Sequence, residues 1–66
     1  MNRLKVIRAE RNLRQFTLAQ ESGINQAVIS MIENEIANPT EEQKAKIARA
    51  LKVRINQIWP VAEGEE

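Results

Sequence analysis

An all-α chain of five short helices is what this sequence predicts, and three observations predict it. Apolar residues recur at helical spacing, and no alternating pattern competes for a strand. Helix-start residues, Asn2, Asn25 and Thr40, stand ahead of those apolar stretches. Gly23, Pro39 and Pro60 stand where such stretches end.

The elements follow in order. Asn2 caps a first helix predicted to run to about Asn12, with Leu4, Ile7 and Val6 on its inner side and Leu13 packed in the connection. A second helix starts near Gln15 and stops at Ser22 and Gly23. The third begins after Asn25, another good cap, and runs to about Asn34. Glu35 to Pro39 is a loop, because the residue before a proline is pushed out of the α region. Thr40, Glu41, Glu42 and Gln43 then form a start signal: a hydroxyl cap, acids at the positive end of the helix dipole, and a glutamine at the capping-box position. That fourth helix reaches Leu51 and buries Ile47, Ala48 and Leu51. A short fifth helix is expected around Ile55 to Trp59, ending at Pro60. Residues 1–61 are thus expected to form one domain, and the acidic tail 62–66 is expected to fray.

Within this array Ala19, Gly23, Ile29 and Ile32 have the spacing of a helix-turn-helix, in which two short helices cross at about 90–120° through a tight turn. Ala19 is small and lets the next helix approach. Gly23 supplies a positive φ without strain, and Leu18, Ile24, Ile29 and Ile32 close the space between the helices. Such a motif points to a DNA reader; the same offsets also occur in an ordinary helical hairpin.

Composition bounds the alternatives. A chain of 66 residues supports one domain with a modest core. It has no cysteine, hence no disulfide or thiolate metal site, and no histidine, hence no ready general base or imidazole ligand. There is no nucleophile with an adjacent base and no glycine-rich phosphate loop, so no enzyme, cofactor or small-molecule substrate is expected. Glu41 and Glu42 are adjacent carboxylates, but a helix-capping turn explains them. Met1 to Leu13 is charged throughout, unlike a signal peptide, and no apolar run approaches the ~20 residues that cross a bilayer. The expected location is the cytoplasm, away from membranes. The net charge of +1 hides an uneven distribution: Arg3, Lys5, Arg8, Arg11 and Arg14 lie before Phe16, whereas Phe16 to Gln43 contains glutamates and no base. Lys44 to Glu66 is again net basic.

The sequence resembles the Cro and phage-repressor (XRE-type) family of compact, five-helix, lambda-repressor-like DNA-binding domains. The likeness covers Asn2 to about Trp59. It rests on Asn12-Leu13-Arg14-Gln15 leading into Leu18-Ala19, on Ser22-Gly23-Ile24, on Val28-Ile29-Ser30-Met31-Ile32-Glu33-Asn34, on Asn38-Pro39-Thr40, and on Ile47-Ala48-Arg49-Ala50-Leu51. Ile-x-x-Ile-Glu-Asn followed by Asn-Pro-Thr is the most distinctive part.

The resemblance implies roles. Gln15 matches a position that holds a DNA phosphate at a helix N-terminus, and Asn34 matches a second phosphate contact. Gln26 and Ala27 match base-reading positions, with Met31 one turn on and Asn25, Val28 and Ser30 flanking them. Arg8 and Glu33 match a buried ion pair that orients two helices. The chemistry agrees in part: glutamine pairs bidentately with adenine, while Ala27 and Met31 suit a thymine methyl. Arg14 departs from the family's preference for serine, threonine or asparagine as N-cap. A cation there costs about 0.3–1 kcal/mol unless a phosphate docks beside it, so Arg14, with Gln15 and Asn25, is expected to grip phosphate. Glu35, Ile36 and Ala37 stand where the family often has glycine followed by a base. Glu35 is therefore expected in the left-handed conformation, and phosphate contacts there should be few.

Modest affinity per protomer would make a homodimer on a palindrome important. Ile55, Gln57, Ile58, Trp59 and Val61 form the candidate interface; Trp59 is equally suited to sealing the core. The functional expectation is sequence-specific double-stranded DNA binding by a small transcriptional regulator. The alternatives are a controller or antitoxin component of a restriction or toxin system, or an adaptor that binds a protein partner.

Overall fold

A computed structural model of the chain describes residues 2–60. Five helices follow one another: α1 (Leu4–Glu10), α2 (Gln15–Ser22), α3 (Gln26–Glu33), α4 (Glu41–Leu51) and α5 (Ile55–Ile58). No described residue lies in a strand. α2 packs against both α3 and α4, and α5 packs on α4. The core is a single cluster of Leu4, Ile7, Leu18, Ile24, Ile29, Ile32, Ile47, Ala48, Leu51 and Ile58. One backbone bond, from the Arg3 N–H to the Ile58 carbonyl at 2.7 Å, joins the two ends of the domain.

α1 is shorter than its sequence pattern suggested. Asn2 precedes the cap position, which Arg3 occupies, yet its Oδ1 still accepts the Leu4 N–H at 2.9 Å. The helix closes at Glu10, and Asn12 reverses the chain at φ 55°. Over two turns only Leu4 and Ile7 reach the core. Val6, expected inside, is 49 % exposed, because one residue of helix turns it well away from the Leu4–Ile7 stripe.

The turn between α2 and α3 depends on backbone conformation. Gly23 sits at φ 75° and takes the role of C-cap, its N–H bonding the Ala19 carbonyl. A Cβ there would meet nothing within 4 Å, so glycine answers the dihedral rather than a shortage of space. Buried Ser22 completes the corner: its Oγ accepts the Ile24 N–H and donates to the Ala19 carbonyl. Asn25 then caps α3, its Oδ1 accepting the Ala27 N–H at 2.7 Å.

Beyond α3 the loop turns at Glu35, whose φ is 61°. Its carboxylate accepts both the backbone N–H (2.6 Å) and the side-chain amide (2.9 Å) of Asn2. Asn2 also donates to the Ile32 carbonyl, so this residue ties the chain's start to the end of α3. At α4 the reciprocal capping box forms as the sequence signals, with Gln43 N–H on Thr40 Oγ1 and Thr40 N–H on Gln43 Oε1. Lys52 ends α4 in the left-handed conformation at φ 60°.

Candidate nucleic-acid interface

α3 divides its residues between two faces. Ile29 and Ile32 enter the core, Val28 packs at its edge, and Gln26, Ala27 and Met31 are exposed, with Ser30 half-buried beside them. Met31 is 37 % exposed, which separates it from the core residues on either side. The first turn of α2 lies alongside, so Gln15 and Gln26 share one edge of the motif.

A chain of hydrogen bonds crosses three helices there. Arg8, from α1, donates Nε to Glu33 Oε2 at 2.7 Å and Nη2 to Glu33 Oε1 at 3.3 Å. Its Nη1 also donates to the Leu13 carbonyl. The Glu33 side chain is only 3 % exposed and that of Arg8 16 %, so this pair is largely shielded from water. Gln15 Nε2 donates to Glu33 Oε1 at 3.1 Å, and Gln26 Nε2 donates to Gln15 Oε1 at 3.3 Å.

The order of donors in this relay follows from chemistry. A carboxylate only accepts, so Gln15 must turn its NH2 toward Glu33 and its oxygen outward. That oxygen only accepts, so Gln26 turns its NH2 toward Gln15. Gln26 is left with a free carbonyl oxygen and a second N–H, the acceptor and donor that the major-groove edge of adenine requires. Burial of Glu33 thus fixes the orientation of an amide on the surface two bonds away.

The remaining predicted residues are placed as follows. Arg14 is exposed at the N-cap of α2, in extended conformation, and makes no side-chain cap bond. The first-turn amides of α2 therefore lack a side-chain acceptor, which is the electrostatic condition for anion binding at a helix start. Asn25 is exposed, but its oxygen is committed to capping α3. Asn34 folds its Nδ2 back onto the Ser30 carbonyl at 2.9 Å, leaving one amide N–H for any outside partner. Phe16, which had no predicted role, is 57 % exposed beside Gln15. Its signal in the sequence was a large apolar residue off the Leu18–Ser22 stripe of α2.

The residues proposed for a dimer interface separate. Ile55 is 37 % exposed and Gln57 is exposed, with Gln57 Oε1 accepting the Arg54 N–H. Ile58 is fully buried and has no side-chain surface to give; a one-turn helix must insert its single inward residue to close the core. Trp59 is half-buried against the core, under Lys44, whose Nζ lies 5.8 Å from the ring centroid. Its Nε1 is enclosed without an acceptor among the described residues. Val61 lies outside the described residues, as does the tail 62–66.

A family model described as helix-turn-helix matches residues 4–58, from the first residue of α1 to the last of α5. The chain belongs to the Cro/C1-type (XRE) helix-turn-helix family, a family of DNA-binding domains. No curated protein matches it. Among the described residues, no helix is long and apolar enough to cross a membrane, and no three metal-ligating side chains cluster.

Proposed function

We propose that this helix-turn-helix domain is a sequence-specific transcriptional regulator that reads double-stranded DNA by laying α3 in the major groove. The observation that carries the reading is the relay from Glu33 through Gln15 to Gln26, which holds Gln26 ready for adenine. Holding a long side chain in its bound geometry reduces an ordering cost of about 0.5–1.5 kcal/mol per side chain. Gln15 and Arg14 grip a phosphate at the uncapped start of α2, and Asn34, with the free amide of Asn25, makes weaker backbone contacts. Ala27 and Met31 supply apolar contact to thymine methyl groups, with Ser30 between them.

The domain works as a homodimer on a palindrome, with half-sites about 34–36 Å apart. Exposed Ile55, Gln57 and the outer edge of Trp59 are the surface for the second copy; Ile58 supports it from beneath. Selection of bound sequences from a random duplex pool tests the proposal. Enrichment of a palindrome with adenine at one fixed place in each half supports it. The absence of Lys and Arg between Phe16 and Gln43 favours a second reading, a protein adaptor, which predicts no enrichment even at low salt.

A further inference from the structure

Phe16 has no role in the reading above, although it occupies the same face. It lines a shallow groove between α2 and α3 together with Gln15, Ala19, Gln26, Ala27 and Ser30, and no residue lining that groove is charged. A large aromatic side chain left 57 % exposed at the second position of α2 adds little to the core, which Leu18 fills from the same helix.

We propose that Phe16 is a specificity-determining residue whose ring, with Ala27 as the opposite wall, receives the C5-methyl of a thymine flanking the base pair read by Gln26. The inference rests on the DNA-reading assignment of α3. Three considerations select this occupant. Phe16 and Gln26 line the same groove, so the ring and the reading amide face one space. The thymine methyl is the apolar group that base pairs display in the major groove, and the Phe16 ring and Ala27 methyl offer it apolar contact in a groove that holds no charge, whereas a phosphate would call for a cation. Finally, a segment without Lys or Arg gains no counterion release of its own from DNA, so apolar contact, beside the hydrogen bonds of Gln26, is a source of affinity open to it.

The test uses the full chain and the duplex enriched from the random pool, with each thymine of one half-site replaced singly by uracil. Burial of one methyl is worth about fourfold in affinity. The wild type should lose about that much at one thymine beside the Gln26 adenine. Phe16→Ala should lose less than about twofold at that position while keeping its discrimination at the adenine, and Phe16→Leu should restore the methyl sensitivity. Thermal unfolding of both variants checks that they fold as the wild type does. Equal uracil sensitivity in wild type and Phe16→Ala, or no sensitive thymine at all, overturns the assignment of Phe16 and leaves the role of Gln26 standing. Failure of the pool to enrich any sequence overturns both.

Discussion

Replacing Glu33 by leucine should destabilise the domain strongly, and replacing Arg8 as well should reverse part of the loss. The reason is the placement of the pair. Both side chains are largely shielded, and Glu33 is the only acidic partner of the Arg8 guanidinium among the described residues. Glu33→Leu leaves a desolvated cation, which costs about 3–5 kcal/mol. A domain of this size has a total stability of roughly 3–10 kcal/mol, so the single variant loses a large share of it. In Arg8→Met/Glu33→Leu the stranded charge is gone. What remains is the Leu13 carbonyl, which loses the Arg8 Nη1 donor at a cost of about 1–3 kcal/mol.

Urea unfolding of the wild type, both single variants and the double variant measures this cycle. The double variant should be at least about 1 kcal/mol more stable than Glu33→Leu, with an unchanged urea slope. It should also bind DNA with reduced preference for adenine, since nothing then orients the Gln15 amide. A double variant no more stable than Glu33→Leu would show that lost packing, not the stranded charge, sets the penalty. Full adenine preference in a folded double variant would remove the relay from the account of base reading.

Other outcomes follow from single positions. Arg14→Ala should flatten the dependence of log affinity on log salt by about one unit, because one phosphate contact is lost; an unchanged slope in filter-binding or anisotropy titrations refutes the assignment. Lys52 and Glu35 share a left-handed backbone but differ in what their side chains do. Lys52→Gly should raise stability by about 0.5–1 kcal/mol through relief of the positive φ. Glu35→Gly should give no gain or lose up to about 1 kcal/mol, since it also deletes the two Asn2 bonds. Equal shifts of the two melting curves would show that the Asn2 clamp contributes nothing.

Signals that act within a few residues could be read without coordinates. Thr40 and Gln43 are three apart, Asn25 and Ala27 two apart, and Gly23 needs only its own dihedral. Each is a local contest between backbone and side chain, so the starts of α3 and α4 and the α2–α3 turn are predictable. Glu35 likewise takes the left-handed conformation expected of a position usually given to glycine. Burial was harder to read. Val6 and Ile58 have similar apolar character, yet one is exposed and the other enclosed, because Val6 is turned off the Leu4–Ile7 stripe of α1 whereas Ile58 is the inward residue of α5.

The order of residues along the chain specifies the five helices, their caps and the family to which the motif belongs, since these depend on local propensity, spacing and motif residues. The direction in which Gln26 offers its donor and acceptor belongs to the packed domain. It is set by a carboxylate contributed by α3, held by a guanidinium from α1 and passed through an amide from α2, and hydrogen bonds between residues so distant in sequence exist only after the core has brought the helices together.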